Sequence, residues 1–461
     1  MAIENDASRY ALSPGPSVQE LLAREANPVP AHLGEVAFEF MGSDDVPVAS
    51  YVSPELARLE LERMWSRVWQ MACREEEISA VGDHVVYEIG DWSILVIRSS
   101  ATRIRAFHNV CLHRGRILRE RDGHCLKLRC PFHGFTWNLD GELVEVPARW
   151  DFPHVENEKF RLPEVKVGTW GGFVFVNLDP ASSSLEAYLG GLPAHFRDWA
   201  LEDKFKAVHV AKVVAMNWKV GVEAFIESLH VEATHPQIMP TTGDTNTQYD
   251  IYAGERHWNR MITPFAVSSP QLRPSLSEQE IYDAMAAQGQ AMPGTQVPPG
   301  TTARALAGEH MRKLVGMMSG RDLENVTDAE LLDAIQYFVF PNFFPWGGYF
   351  LNIVYRFRPV GADPHRALME VMMLMPVPPA GPRPAPAVMR LLGENEEWTD
   401  APELGPLGPI FKQDMNNMPF VQRGLRAARK PGITLANYQE SRIRHLHKTL
   451  SAYLRGESQE K

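Results

Sequence analysis

Residues 111–135 read CLHRGRILRERDGHCLKLRCPFHGF and contain two short Cys/His pairs. Cys111 and His113 form the first pair, sixteen residues follow, and Cys130 and His133 form the second pair. The glycine and proline residues in each pair favour tight turns, and the strand-like stretches between the pairs would bring the two turns together. Two thiolates and two imidazoles can bind zinc, or a [2Fe–2S] cluster in which histidines hold one iron and cysteines the other.

Zinc is the main alternative to an iron–sulfur cluster in this motif. Common zinc motifs pair like with like, as Cys-x2-4-Cys and His-x3-5-His, whereas each half of this motif mixes one cysteine with one histidine. A third interpretation is that these are four unrelated core residues that bind no metal. That would require two cysteines and two histidines to fall into matched pairs by chance. If zinc occupies the motif, the chain is a zinc-stabilised binding protein without a redox function.

A second group of candidate ligands lies in residues 217–236, NWKVGVEAFIESLHVEATHP. Glu227, His230 and His235 follow the spacing E-x2-H-x4-H. We predict a helix over Trp218–Ala233, in which Glu227 and His230 share one face because they are three residues apart. The proline after His235 disfavours helical geometry at that residue, so the chain would bend there and both imidazoles could meet at one metal ion.

In order and spacing, the Cys/His motif closely resembles the Rieske [2Fe–2S] motif, CxHRG followed by CPFHG. The same chain carries both motifs in the order found in the Rieske non-haem iron oxygenases, and the resemblance covers roughly residues 50–430. It implies that Cys111 and Cys130 bind the inner iron of the cluster, and that His113 and His133 bind the outer one. Phe135 is a departure, because the family often has tryptophan at this position.

The resemblance also implies a mononuclear Fe(II) bound by His230, His235 and a carboxylate, which leaves positions open for dioxygen. We expect the carboxylate to be Asp414 in FKQDMNNMPFVQRGL, which is similar to the family's late QD-x-x-N segment, with Asp400 as the alternative. Glu227 would bridge a cluster histidine of one subunit and an iron-ligating histidine of its neighbour. Most members have Asp here, and Glu occurs in some, including those that act on quaternary ammonium compounds.

Three further positions around the second motif concern the surroundings of the iron. Ala224 and Leu229 depart from the family, which often has asparagine and tyrosine there. Asn217 is expected either to approach the iron or to cap the helix that follows it.

The charge and the N-terminus exclude several classes of partner. The chain has 46 Lys and Arg against 57 Asp and Glu residues, a net charge of −11, so nucleic acid is not expected as a partner. The N-terminus lacks the basic and apolar regions of a signal peptide. The most apolar region, Leu331–Phe357, is interrupted by two prolines and an asparagine, so no membrane span is expected there. We therefore expect a soluble, cytoplasmic protein.

Hydrophobic periodicity predicts an α+β protein with a β-rich first half. Helices are predicted over Ser53–Arg67, Trp218–Ala233, Glu278–Gln288, Thr302–Ser319 and Asp328–Tyr337. Strands are predicted over Gly82–Arg98 with a turn at Gly90–Asp91, and over Arg103–Asn109, Leu126–Cys130, Gly134–Asn138, Trp170–Asn177, Phe350–Phe357 and Leu368–Met375. The segment Thr263–Thr301 is rich in Pro, Ser and Gln, and we expect it to be a long, poorly packed insertion.

The resemblance implies two domains. Residues 68–180 would form an all-β Rieske [2Fe–2S] domain. Residues 181–461 would form a larger catalytic domain with a central antiparallel sheet flanked by helices and a lid-like insertion near 263–335. The arm and helix of residues 1–67 would belong to the catalytic domain.

The expected function is that of the terminal oxygenase component of a Rieske oxygenase. Electrons from NAD(P)H would arrive through a separate ferredoxin or flavin reductase, and O2 would be the co-substrate. The expected reaction is hydroxylation, as cis-dihydroxylation, of a small apolar aromatic or polycyclic substrate, with O- or N-demethylation by monooxygenation as the alternative. The role of Glu227 implies a homotrimer (α3) or an α3β3 assembly. Candidate substrate-pocket residues are Phe225, Ile226, Met239 and Phe343.

Overall fold

The computed structural model describes residues 15–349 and 352–457. The first fourteen residues of the predicted N-terminal arm and the first two of the predicted strand Phe350–Phe357 lie outside the described residues. The described helices are α1 Val18–Leu22, α2 Ala49–Val52, α3 Pro54–Glu60, α4 Leu185–Leu189, α5 Leu192–His195, α6 Trp218–Ala224, α7 Val231–Thr234, α8 Glu278–Ala287, α9 Ala303–Ser319, α10 Asp328–Leu332, α11 Leu407–Ala427 and α12 Ser441–Arg455. In this part of the chain no helix combines the length and the apolarity needed to cross a membrane.

The helix predicted from Ser53 is confirmed together with its cap. The Ser53 hydroxyl accepts a hydrogen bond from the backbone N–H of Leu56, and Pro54 occupies the first turn, where no N–H partner is needed. The helix continues into a π-helical turn over Leu61–Trp65. The Trp65 ring is fully buried.

Two predicted helices are too long. The one predicted over Trp218–Ala233 ends at Ala224, and a short α7 begins only at Val231. Between them, the backbone N–H groups of Leu229 and His230 bond to the Glu227 carboxylate instead of continuing the helix. The one predicted over Asp328–Tyr337 ends at Leu332, and Ala334–Val339 forms a fully buried strand. Pairing with a neighbouring strand overrides the helical pattern there.

The strands before residue 180 form a seven-stranded and a three-stranded antiparallel sheet, in the orders β2-β11-β10-β5-β4-β3-β6 and β7-β8-β9. The exception is β1 Val46–Pro47, which pairs with β20 Gly432–Ile433 in a separate two-stranded sheet. The strands of the two larger sheets are β2 Gln70–Arg74, β3 Asp83–Ile89, β4 Trp92–Ser100, β5 Arg103–His108, β6 Gly123–His124, β7 Leu128–Arg129, β8 Thr136–Trp137, β9 Leu143–Glu145, β10 Glu164–Trp170 and β11 Phe173–Asn177. One face of this β-rich half has its own core, which includes Cys111 and Cys130.

The larger second half contains a five-stranded sheet of order β16-β17-β18-β12-β19 and a three-stranded sheet of order β13-β14-β15. The strands of these two sheets are β12 Lys204–Val214, β13 Gln248–Asp250, β14 Trp258–Thr263, β15 Ala334–Val339, β16 Phe344–Pro345, β17 Asn352–Val360, β18 Asp363–Pro376 and β19 Arg390–Leu392. All neighbours in these two sheets are antiparallel except β12 and β19. The fold class is therefore as predicted, an all-β domain beside a larger domain of sheet and helices.

The predicted insertion is better packed than its composition indicates. Helices α8 and α9 enclose a small core of their own, to which Ile281, Tyr282, Met285 and Ala307 contribute. The expectation of poor packing over Thr263–Thr301 is therefore wrong for α8, because its apolar residues recur at helical spacing and find a neighbouring helix. A role as a lid stays a prediction.

A buried charge network holds the two halves together. The Arg356 guanidinium on β17 donates to the backbone carbonyls of Met71 (2.9 Å) and Ala72 (2.6 Å) on β2. The same group pairs with the buried Glu370 carboxylate on β18, at 2.7 Å from Nε. Arg356 is thus paired and hydrogen-bonded on both sides of the junction, as a buried charge must be.

We expect that Arg356→Met leaves the Glu370 carboxylate without its main partner and lowers the free energy of unfolding by about 3–5 kcal/mol. The shift of the urea midpoint of the cofactor-loaded protein measures this. Arg455→Met, at an exposed position of α12, is the matched control. Equal midpoints for the two variants would contradict the role of the Arg356–Glu370 network in holding the two halves together.

Candidate metal centres

The two Cys/His pairs fold into matching turns. The Cys111 carbonyl accepts the Gly115 N–H (3.0 Å), and the Cys130 carbonyl accepts the Gly134 N–H (3.1 Å). Both glycines have positive φ, 73° and 79°, which a residue with a Cβ rarely adopts. Each turn therefore presents one cysteine and one histidine and is closed in the same way, although the histidine follows the cysteine by two residues in the first turn and by three in the second.

The four side chains of these turns face one another. The rings of His113 and His133 lie 4.7 Å apart between centroids. The Nδ1 atom of each is buried and has no hydrogen-bond partner among the described residues. Cys111 and Cys130 are both buried and not disulfide-bonded, and burial raises the pKa of the Cys111 thiol. Two free thiols and two unpartnered imidazole nitrogens fit the donor set of a two-iron cluster with mixed ligands.

The second group also converges, although its members are 184 residues apart in sequence at the extremes. The Asp414 Oδ1 atom on α11 lies 2.8 Å from His235 Nε2 and 3.5 Å from His230 Nε2. One ligand atom from each of the three side chains lies within 4.8 Å of the others. The alternative carboxylate, Asp400, is exposed in a separate turn and is not part of this group. Two imidazoles and one carboxylate fit the facial triad of non-haem iron.

Glu227 occupies the break between α6 and α7 rather than a helix face. One of its oxygens accepts the backbone N–H groups of Leu229 and, at 3.1 Å, His230. The other lies 2.5 Å from His230 Nδ1. The carboxylate therefore shapes the turn and orients the imidazole at the same time. The prediction that Glu227 and His230 share a helix face is wrong, but the contact that it implied is present.

The charges around the triad favour a cation at its centre. Burial alone would lower the pKa of His230, but the carboxylates of Glu227 and Asp414 outweigh it and raise the pKa to about 10. Burial would raise the pKa of Asp414, but hydrogen bonds from His230 and His235 hold it below its ordinary value. The carboxylates thus stabilise positive charge at the imidazoles, and they would stabilise a divalent metal ligated at the same atoms in the same way.

Asn217 caps α6, one of the two roles expected for it. Its side-chain oxygen accepts the Lys219 N–H at 3.1 Å, and its amide donates to the carbonyls of Tyr51 and Pro364. Gln422 on α11 accepts the Asn217 backbone N–H at 2.7 Å. Sequence reasoning missed Gln422 as the residue that fixes α11 against the start of α6.

Of the predicted pocket residues, Phe225 lies in an aromatic group beside the triad. Its ring is 4.8 Å from that of Tyr355 and 6.3 Å from that of Phe411, one turn before Asp414. Ile226 and Met239 are buried next to the ligand segments. Phe343 packs instead in the other core cluster, against Phe173 and Phe175 of the β-rich half, so the structure does not bring it to Phe225.

Known family domains match both parts of the chain. Residues 68–156 match the Rieske [2Fe–2S] domain. Residues 194–456, more than half of the chain, match the catalytic domain of the ring-hydroxylating α subunit. The chain belongs to the Rieske ring-hydroxylating oxygenase α subunits. A [2Fe–2S] cluster and a mononuclear iron are the cofactors of this family.

The curated relatives act on different substrates. The chain is 27% identical to the glycine betaine monooxygenase oxygenase subunit of Pseudomonas aeruginosa, over 61% of this chain and 64% of that protein. It is 29% identical to the carnitine monooxygenase oxygenase subunit of Escherichia coli, over 46% and 57%. It is 32% identical to the anthranilate 1,2-dioxygenase large subunit of Acinetobacter baylyi, over 41% and 42%. The matched parts thus span less than two thirds of each relative's length.

Solved structures share the fold of this Rieske oxygenase subunit. A quaternary ammonium Rieske monooxygenase in complex with L-carnitine aligns with a TM-score of 0.63 at 18% identity, over 89% of this chain and 95% of that one. Naphthalene 1,2-dioxygenase from Rhodococcus sp. bound to indole aligns with a TM-score of 0.60 at 21% identity, over 90% and 95%.

Two variants should separate the two centres. Cys130→Ser is expected to abolish the red-brown colour and the Rieske EPR signal. Asp414→Ala should retain both and reduce the iron content from about three to about two per chain, because it removes one ligand of the triad only. Asp400→Ala serves as the control for losing an acid. Unchanged iron content in Asp414→Ala, or a colourless zinc-containing wild type, would contradict the assignment.

Proposed function

We propose that this α subunit is a monooxygenase that hydroxylates a methyl group on a quaternary ammonium compound, leading to N-demethylation. The observation that carries the proposal is Glu227, a glutamate where most ring-hydroxylating members have aspartate, in contact with His230. The relatives named for betaine and carnitine support the same substrate class. The expected apolar aromatic substrate is therefore revised to a cation.

The chemistry balances with two electrons. The N-methyl group, O2, two electrons and two protons give an N-hydroxymethyl group and water. The C–N bond then breaks with its electron pair going to nitrogen, and the hydroxyl proton is lost, which yields a tertiary amine and formaldehyde. When bound, the cluster supplies single electrons and the iron supplies dioxygen activation. In the proposal, Cys111, His113, Cys130 and His133 hold the cluster. The iron ligands are His230, His235 and Asp414.

The chain's own residues orient and shield the reacting groups. Glu227 accepts from His230 Nδ1, so the Nε2 atom of that ring is left for the metal. The Tyr355, Phe225 and Phe411 rings beside Asp414 offer the π faces to which methylated ammonium groups bind. Trp346, whose ring is 6.2 Å from Tyr355, has a buried Nε1 without a partner among the described residues, and it could donate to a carboxylate of the substrate.

A trimer is part of the proposal because Glu227 has capacity left for a neighbour. A carboxylate offers about four lone-pair sites, and three are used by Leu229 N, His230 N and His230 Nδ1. A cluster histidine of a second copy could donate to the fourth. His230 is 27% exposed, so this end of the site is accessible from outside the chain. The assembly would be α3 or α3β3, with a separate reductase or ferredoxin as electron donor.

Dihydroxylation of a neutral aromatic ring is the second candidate. The observation in its favour is an apolar cavity that is not lined by the proposed iron ligands but extends to Trp346. A cavity of 80 Å³ reaches Trp346 and is lined by Phe265, Met285, Met311 and Leu331. Its two acids are already engaged: Asp333 pairs with Arg304 at 2.6 Å, and Glu330 accepts from Trp199 at 3.0 Å. No carboxylate lining this cavity is thus free to bind a cation.

A single-turnover experiment separates the candidates without needing the native electron donor. The holoenzyme is reduced with dithionite, freed of excess reductant, mixed with O2 and one substrate, and quenched. We expect formaldehyde from glycine betaine, carnitine or choline, and no dihydrodiol from naphthalene or indole. Dihydrodiol with the aromatic substrates and no formaldehyde would overturn the proposal in favour of the second candidate.

Glu227→Gln should retain both metals but slow reoxidation of the reduced cluster by O2 and substrate by at least roughly 10–100-fold, because an amide cannot accept from two imidazoles as a carboxylate does. Stopped-flow absorbance of the cluster measures the rate. Glu232→Gln, which removes an exposed acid from α7, is the control. Equal rates in wild type and Glu227→Gln would exclude the bridge while leaving the substrate proposal intact.

A further inference from the structure

The two histidines of the triad are held by chemically different partners. His230 Nδ1 contacts the carboxylate of Glu227 at 2.5 Å. His235 Nδ1 contacts a neutral group, the side-chain oxygen of Gln413, at 2.9 Å. Gln413 directly precedes Asp414 on α11, so one short segment supplies both a ligand to the centre and the support of another ligand.

Gln413 is itself held by a second glutamine. The Gln237 Nε2 group donates to Gln413 Oε1 at 2.6 Å, and the Gln413 Nε2 group donates back to Gln237 Oε1 at 3.3 Å. We call these two side chains the amide pair. Gln237 follows His235 by two residues, so the amide pair joins the end of the His235 segment to α11 immediately before Asp414.

With both amides oriented as in the structure, the amide pair places an acceptor against Nδ1 of His235. Gln413 Oε1 already accepts from Gln237, so turning the Gln413 amide over alone would place two NH2 groups against each other. With the oxygen towards His235, Nδ1 must be the donor. When the ring ligates a metal, its lone pair is then on Nε2, the atom that lies 2.8 Å from Asp414 Oδ1 and hydrogen-bonds to it when no metal is bound.

We propose that the Gln413–Gln237 amide pair is a positioning device that holds His235 in the tautomer and orientation required to ligate the mononuclear metal. The proposal rests on the assignment of His230, His235 and Asp414 as the metal ligands. Neither glutamine touches the centre itself, so both act through His235. A hydrogen-bond acceptor behind a metal-ligating imidazole raises its basicity and fixes its ring.

Because the Gln413 side chain is a neutral amide, it adds no negative charge next to the proposed metal ligands. Asp414 is a ligand and Glu227 contacts the other imidazole, so the centre and its supports carry two carboxylates, which match one divalent cation. A third carboxylate in place of Gln413 would add a negative charge at the same distance from the ring. An amide provides the acceptor without that charge.

A further contact places α7 against α11 at the same point. The Asn417 amide, one turn after Gln413, donates to Thr234 Oγ1 at 3.4 Å. His235 directly follows Thr234, so the amide pair and this contact flank the ligand on both sides in sequence. The two segments are otherwise separated by more than 170 residues.

The test measures metal affinity in the holoenzyme. The mononuclear iron is removed with a chelator under conditions that retain the cluster, and Co(II) is titrated back by calorimetry. We expect Gln413→Leu to bind Co(II) roughly 10–100-fold more weakly than wild type. Gln413→Glu, which restores an acceptor and adds a negative charge, should bind Co(II) at least as tightly as wild type. Gln237→Leu should show a smaller loss, because the contact of Gln413 with His235 remains.

Controls distinguish positioning from a general effect on folding. Asn416→Leu replaces an exposed polar residue of the same helix and should bind Co(II) like wild type. The Rieske EPR signal and the thermal midpoint of each variant report whether the protein remains folded. Wild-type affinity in Gln413→Leu, or equal losses in the Leu and Glu variants, would overturn the role of the amide pair alone. A wild type that binds no Co(II) would overturn the triad assignment and, with it, the amide pair.

Discussion

The catalytic half of the molecule depends on one carboxylate that meets two imidazoles. Asp414 is 4% exposed and lies within 3.5 Å of the Nε2 atoms of His230 and His235. A buried carboxylate is costly unless it is paired, so α11 can occupy its place only if both histidines are in theirs. The break after α6, the cap at Asn217 and the contacts of Gln413 and Gln422 all serve to hold the three side chains at one point.

The two centres differ in how far apart their ligands lie in the sequence. The cluster turns are local: each is closed by a hydrogen bond from a glycine N–H to a cysteine carbonyl four residues earlier. The triad joins segments almost two hundred residues apart, and it therefore needs a rigid frame. The five-stranded sheet, the long helix α11 and the buried Arg356–Glu370 pair provide that frame and also fix the β-rich half against it.

One histidine of the triad is supported by a charged side chain and the other by a neutral one. Glu227 does two things with one carboxylate, since it closes the turn before α7 and accepts from His230 Nδ1. Gln413 supports His235 with an amide, which adds no charge to a buried site. Aromatic rings next to Asp414 complete a site in which charged groups are few and all contact one another, as expected where a metal and a substrate must exclude water.

The sequence by itself determined the family, the cluster motif, the two histidines and the candidate acid, because ligand type and spacing along the chain are properties of the covalent sequence. It also predicted α3 from its cap and apolar spacing, and it placed helices at α8 and α9. Only the tertiary structure decided that α6 ends before Glu227, that Ala334–Val339 is a strand and that Phe343 packs away from Phe225. The Gln413–Gln237 pair was equally invisible. The physical reason is the same in each case. A partner distant in sequence, whether a strand, a carboxylate or an amide, contributes more stabilisation than the local conformational preference does. Spacing along the chain does not reveal which distant partner a residue will contact.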